Sequence, residues 1–414
     1  MTTLWPFRAL RPVPDRASGV ASDAYDVMSR EEARLIAGAN PLSFLKIERS
    51  EINLPDAIDP PDPRVYQSAC DALQAMVREG VMIQDETPCF YLYRQQADSH
   101  VQTGIVACFE SEDYRSGRIK RHELTRSDKE TDRTRHIDRL NAQTGPVFLA
   151  YRDNGSVDSI IDGITSRQQP EYAFRADDRT FHSAWIVRDA RTMDRIADAF
   201  EKIDSLYIAD GHHRAAAANR VAEIRRQANP AHTGAEEYNR IMAVLFSHRQ
   251  LRILPYNRVV RDLAGMGKEA FLDRLSDRFL LEPLERNAPA PERGVFGMYL
   301  GGQWFRLSPT GEGCGNNDIV SSLDVSVLQD RLIAPILGVT DMRGDERIDF
   351  VGGIRGTGEL ERLVDADLYA VAFSLYPTDM DSLMAVSDKG QIMPPKSTWF
   401  EPKLKSGLFV HLLD

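Results

Sequence analysis

With 414 residues, 42% of them apolar, the chain is long enough for roughly two or three domains with substantial cores and is not compositionally disordered. Its net charge of -11, from 51 basic and 62 acidic side chains with no long basic run, argues against a nucleic-acid partner, because an acidic surface repels phosphate backbones. The N-terminus lacks an apolar h-region and no apolar run approaches the ~18 residues of a membrane span, so the expectation is a cytoplasmic protein with no membrane association.

Taken in chain order, residues 5–13 read as a short strand. Ser29-x-x-Glu32 is a capping box ahead of a short helix stopping at Gly38. Tyr66, Ala69, Cys70, Leu73, Met76 and Val77 recur at helical spacing over 62–79, with Pro63 suited to the first turn. Residues 89–95 and 100–110 fit a hairpin joined by the polar loop Gln96 to Ser99. A second capping box, Ser127-x-x-Glu130, opens a helix over 127–142, and Pro146 to Tyr151 is a strand. A hairpin over 172–187, a helix over 192–203, a strand over 205–209 and an Ala-rich helix over 212–227 follow, then short strands at Val244 to Phe246 and Leu251 to Leu254. Beyond about residue 261 come a helix at 267–279, a Pro-rich connection from Asn287 to Pro291 and a hairpin turning at Gly301-Gly302. A helix at 324–337, a strand at Leu368 to Leu375 and a tail, Pro394 to Gly407, with little regular structure complete the series. Hairpins and helices are mixed, so the expected class is α+β or mixed α/β, not a doubly wound parallel sheet. The expected domains are 1–260, an α/β domain, and 261–414, an α+β domain ending in a basic loop. Cys70, Cys89, Cys108 and Cys314 contain no CxxC pair and are expected to be free thiols.

The richest segment is Asp210-Gly211-His212-His213-Arg214, where an apolar strand ends at Ala209 and a strong helix former begins. Asp210 is a natural helix N-cap, and Gly211 permits a sharp turn or close ligand approach. Helix-start amides and the helix dipole favour an anion, and Arg214 brings a planar cation matched to phosphate oxygens. The pattern therefore points to a phosphate or carboxylate cradle. A capped helix with two half-exposed histidines also accounts for it. Adjacent helical residues do not share a face, so one metal ion held by both His212 and His213 is disfavoured.

Three further groups carry chemistry. Lys129, Asp132, Arg133 and His136 fall on one face of the 127–142 helix, preceded by His122 and Glu123. They fit either a solvated surface or a polar cleft. Asp26, Glu31 and Glu32 are N-terminal carboxylates able to act as general base beside a bound phosphate, although Glu32 is also explained by its capping box. Lys396, Ser397, Thr398, Lys403 and Lys405 form a basic stretch that serves either solubility or an anionic ligand.

These residues resemble the domain-of-unknown-function family, family 1015, whose hallmark is DGHHR. The matching stretches are PFRALRP, YDVMSREEA at 25–33, NPLSFLKIERSE at 40–51, HELT at 122–125, YIADGHHRAAAA at 207–218, ILPYNRVV at 253–260 and MPPKSTWFEPKLKSGL at 393–408. The chain departs from the family pattern at Asp23-Ala24, where Pro-Pro is common, at Ala215, where an aromatic is common, and at Tyr256-Asn257-Arg258, where Thr-His-Arg is common. The DGHHR turn is also similar to the phosphate-binding turn of ParB/sulfiredoxin-like folds, which free serine kinases use to hold nucleotide phosphates. This resemblance implies a ParB/sulfiredoxin-like core and a phosphotransferase acting between ADP or ATP, with magnesium, and the hydroxyl of serine, or hydrolysing phosphoserine. In that reading Asp210, Gly211, His212, His213 and Arg214 hold phosphate with Lys129, Arg133, Lys396, Ser397, Thr398 and Lys403. Asp26, Glu31, Glu32, His122, Glu123, His212 and His213 are the catalytic candidates, and no protein-bound metal is expected. A nucleotide-binding switch without chemistry and a metal-dependent hydrolase using His122, His212 or His213 are the alternatives.

Overall fold

The computed structural model describes residues 3–152, 155–285, 288–289, 292–311 and 318–414. Asn287, Pro291 and Cys314, singled out above, lie outside the described residues. The chain divides into two compact units, Met1–Leu251 with Pro402–Asp414, and Arg252–Glu401. Both are mixtures of helix and sheet, an α+β architecture.

The first unit is built on a mixed sheet. Among the described residues its strands run in the order Ile119–Lys120, Leu206–Asp210, Val147–Tyr151, Arg240–Ser247, His100–Glu110, Phe90–Ala97, Phe181–Val187 and Tyr172–Arg175, with Leu4–Trp5 beside His100–Glu110. Arg240–Ser247 lies parallel to Val147–Tyr151, and Leu206–Asp210 parallel to Ile119–Lys120; the other pairs are antiparallel. Side chains alternate across a strand, so Ile105, Ala107, Leu149, Ile208, Ala243 and Leu245 share one fully buried face. The helices Ser156–Thr165, Ala190–Glu201 and His212–Ala228 bury Val157, Ile161, Ile196, Phe200, Ala217 and Val221 in the same core. Ala215 to Ala218 are small and buried, which lets the last of these helices lie close to the sheet.

Several expected elements stand at their expected places. The Pro63–Arg78 helix is capped by Asp62, and the Ser29–Glu32 box closes in both directions ahead of Arg30–Ala39. The hairpin Phe90–Ala97/His100–Glu110 pairs in register from Tyr91↔Val106 to Ala97↔His100. Others need correction. Residues 5–13 are not one strand but two short ones, Leu4–Trp5 and Leu10–Pro12, each pairing a different partner, His100–Glu110 and Met82–Gln84. The Ser127–Glu130 capping box does not form: the helix Ser127–Leu140 has Arg126 at its N-cap, and the Glu130 carboxylate accepts from the Thr125 hydroxyl at 2.9 Å. Cys70, Cys89 and Cys108 are free, the last two buried.

Residues 402–414 thread through the first unit. Ser406 bridges Ser22, Val410 bridges Leu10, and His411–Leu412 pairs Ala142–Gln143. Lys405 takes the carboxylates of Asp23 and Asp178 (2.8 Å to the latter), so the departure at Asp23 supplies a salt-bridge partner. Gly407 has φ +86°, and a Cβ there would lie 2.6 Å from Cγ of the fully buried Phe44. Left-handed backbone strain and overpacking then add, so Gly407→Val should destabilise this unit by about 3 kcal/mol or more. Urea denaturation checks this: a midpoint within error of the parent's would show that the tail does not need its glycine.

The second unit carries an antiparallel sheet in the order Phe279–Leu284, Gln303–Pro309, Phe296–Leu300, Val371–Ser374, Tyr256–Val260 and Ile348–Gly352. Its core joins Val259, Tyr299, Trp304 and Val351 to Leu360 and Val364 of the helix Gly356–Asp365. In the variant segment Tyr256-Asn257-Arg258, Arg258 is fully buried over the Phe350 ring, and desolvation pushes its guanidinium down to about 10.

Candidate functional site

The strand Leu206–Asp210 reaches the turn through a bulge. Ile208 pairs with Leu149 and Asp210 with Phe148, so Ala209 is the extra residue. A bulge re-aims the side chains that follow it. Gly211, at φ +88° and ψ 31°, then occupies the N-cap of the helix His212–Ala228. Asp210 is therefore not the N-cap expected from sequence. The left-handed turn puts Gly211 in that position, and one Asp210 oxygen accepts the Gly211 amide at 2.8 Å. The other accepts the Lys403 ammonium at 2.9 Å. Burial alone would raise the Asp210 carboxyl; Lys403 and Arg214 overcome that and hold it well below the usual carboxylate range.

Arg214 folds back over the turn. Glycine is needed here for the positive φ, and a Cβ would also crowd the guanidinium, standing 3.1 Å from its Nε. Arg214 donates to the Pro146 carbonyl and lies in the field of Asp210, Asp26, Tyr25 and Glu48, which together outweigh desolvation and raise its pKa. Beside it, Arg133 is buried and donates to the Glu48 carbonyl at 3.3 Å and to Asp132 at 2.8 Å, with its guanidinium 4.3 Å from the Tyr25 ring centroid. Desolvation works against its charge, but Asp132, Glu48 and Tyr25 keep the charged form favoured. His136 bonds the Ile47 carbonyl at 2.9 Å.

The histidines separate into two kinds. His122 is buried; desolvation pushes its imidazole down to about 4 against the opposing pull of the Ile208 carbonyl and Asp210. His212 is buried too, and desolvation together with His122 drives it well below the ordinary histidine value. Both are thus neutral near pH 7, which removes the positive charge that the sequence alone would place at this helix start. His213 points elsewhere: its Nε2 accepts the Arg126 amide at 3.0 Å.

The first unit thus brings together Asp210, Gly211, His212, Arg214, His122, Glu123, Arg133, Asp26 and Lys403. Asp26 is exposed and acts on both Arg214 and Tyr25. Glu31, Glu32 and Lys129 are exposed on their helices, and Glu32 is engaged in its capping box. Lys396, Ser397 and Thr398 belong to the second unit, where Ser397 is buried and donates to Pro394. Sequence reasoning missed Glu48, a carboxylate only 3% exposed whose Oε1 has no hydrogen-bond partner among the described residues. It lies against Gly145, where a Cβ would come within 3.4 Å of Oε1 and 3.5 Å of Arg214 Cδ. Chemically the cluster offers amides and cations for phosphate together with carboxylates for a proton.

Comparison with known proteins fits these residues into a family. Residues 4–326 match the family described as "Protein of unknown function (DUF1015)", and the chain belongs to it. No curated protein matches at a significant level. Among solved structures, a free serine kinase in complex with AMP is similar at 12% identity and TM-score 0.38, over 73% of this chain and 91% of that one. A conserved hypothetical protein from Pyrococcus furiosus aligns at 12% identity and TM-score 0.35, over 74% and 95%. SbnI from Staphylococcus aureus with a C-terminal truncation aligns at 12% and 0.39, over 74% and 87%.

Proposed function

We propose that this member of the family is a small-molecule phosphotransferase moving a phosphoryl group between a nucleotide and a hydroxyl. The observation that carries this reading is the Arg214 guanidinium folded over the left-handed Gly211 at a helix start, 3.1 Å from where any Cβ would stand. A helix N-terminus with a glycine turn and a planar cation suits tetrahedral phosphate oxygens. The amides after Gly211 cradle the phosphate, and Arg214, assisted by Arg133 and Lys403, balances the charge that builds on the transferred group. Among the N-terminal carboxylates, Asp26 is the general base for the acceptor hydroxyl, being exposed and within electrostatic reach of Arg214. Glu48 is the buried counter-charge that keeps Arg133 and Arg214 in place. Magnesium enters with the nucleotide phosphates, whose oxygens it prefers. Serine or phosphoserine as the partner substrate, and a ParB/sulfiredoxin-like core, follow from the likeness of the turn to that of free serine kinases.

The test is a coupled assay of the purified full chain with serine plus ADP or ATP, and with phosphoserine alone. Phosphoserine formed from serine, or phosphate released from phosphoserine, with Asp26→Asn slower by about 100-fold, is the expected outcome. Saturable nucleotide binding without turnover would replace this reading with a nucleotide-binding switch. Neither binding nor turnover would end both.

A further inference from the structure

His212 opens the helix His212–Ala228 and is only 6% exposed, and neither ring nitrogen has a hydrogen-bond partner among the described residues. An imidazole buried with both polar atoms unmet is costly, and such groups call for an ion or water that completes them. Its ring meets that of His122 edge to face, 4.6 Å between centroids and 82° between planes. His122 is held by a hydrogen bond to the Ile208 backbone, which orients its ring. Such outer bonds to backbone carbonyls accompany metal-ligating histidines. Glu123, next along the loop and half-buried, brings a carboxylate to the same point; one donor atom from each of the three residues lies within 4.8 Å of the other two.

We infer that His122, Glu123 and His212 form a site for a divalent transition ion of the zinc class. Two imidazoles and one carboxylate are a donor set that zinc, cobalt and manganese accept, whereas magnesium and calcium select oxygen donors. Bonds of about 2.0–2.2 Å require the donors to draw closer, a side-chain rotation of Glu123 on its loop. Three protein ligands leave a coordination position open. His213 takes no part, because its Nε2 lone pair is spent on the Arg126 amide. Arg121 opposes a cation here, while Asp210 favours one, since both act on the His212 ring. The inference stands apart from the phosphotransfer reading, because metal binding is measured without nucleotide or turnover.

The experiment uses the untagged full chain, stripped with EDTA and dialysed, then titrated with Zn²⁺ by calorimetry and metal analysis. One ion per chain is expected, with a rise in melting temperature. His212→Ala and Glu123→Gln should each weaken binding by more than about 100-fold, beyond the cost of losing an outer-sphere partner. His232→Ala, a control elsewhere in the unit, should bind as the parent does. Co²⁺ substitution should give a visible d–d spectrum that His212→Ala abolishes. If His212→Ala does not fold, Glu123→Gln alone decides the matter, because its side chain is half-buried on a loop. A stripped chain that takes up no stoichiometric Zn²⁺, or uptake unchanged in both variants, overturns the site.

Discussion

Replacing Arg214 with alanine should lower affinity for ADP by about 10- to 100-fold, the worth of one charge-assisted bond pair to phosphate. The geometry makes the effect specific. The guanidinium lies over Gly211, while Asp26, Asp210 and Glu48 surround it and hold its charge. Arg214→Lys keeps the charge but loses the planar fork, so it should recover only part of the affinity. Removing the cation also leaves neighbouring carboxylates uncompensated, at a cost of about 3–5 kcal/mol when a buried pair is broken. Calorimetric titration of Arg214→Ala, with its melting curve, separates the two effects; if that chain is unfolded, Arg214→Lys carries the measurement. Parent-like nucleotide affinity in either folded variant would remove Arg214 from the phosphate site.

Acid should weaken the first unit well before its carboxylates titrate. Burial pushes His122 to about 4, and burial with the nearby Lys405 charge pushes His182 to about 4; His212 is lower than its ordinary value as well. In the unfolded chain these groups titrate near ~6.5. Between those values the unfolded state binds more protons, so unfolding free energy rises with pH and stability is lost as pH falls from about 6.5 toward 4. Each of His122 and His182 contributes about 3 kcal/mol by the end of that window. The depressed Asp210 acts in a separate window. It adds stability above its unfolded value near ~3.9, and that stability is lost only below this, as pH falls through its folded value. Urea midpoints of EDTA-treated protein at roughly pH 7.5 and pH 5 report the difference. Equal stability at both would mean that these imidazoles are already charged or solvated in the fold.

The elements easiest to read from the sequence were those whose signals are local. Pro63 at the first turn of a helical stripe, the polar loop Gln96 to Ser99 between two apolar runs, and Ser29-x-x-Glu32 each specify geometry within a few residues. The Ser127 box carried the same letters as Ser29 yet failed, because Thr125 offered Glu130 a competing hydroxyl. Asp210 stands out in the sequence, but its position in the turn does not. Its carboxylate is claimed by Lys403, a partner distant in the chain, and by Gly211, whose positive φ takes over the cap. Glu48 gave no signal at all, since a buried carboxylate acquires meaning only when Arg133 and Gly145 are brought to it. The neutrality of His122 and His212 is likewise a product of burial, which spacing cannot report.

The return of residues 402–414 to the first unit has a consequence in time. Lys403 holds Asp210, Val410 pairs with Leu10 and His411 with Gln143, but Arg252–Glu401 is made in between. At synthesis rates of about 5–20 residues per second, that insertion delays completion of the Asp210 turn by about eight to thirty seconds. Throughout that interval the nascent first unit exposes the surfaces its tail will cover and lacks one cation of its candidate site. Assembly of the centre is therefore a late event in biogenesis, and a chain broken off anywhere before Lys403 is built without it.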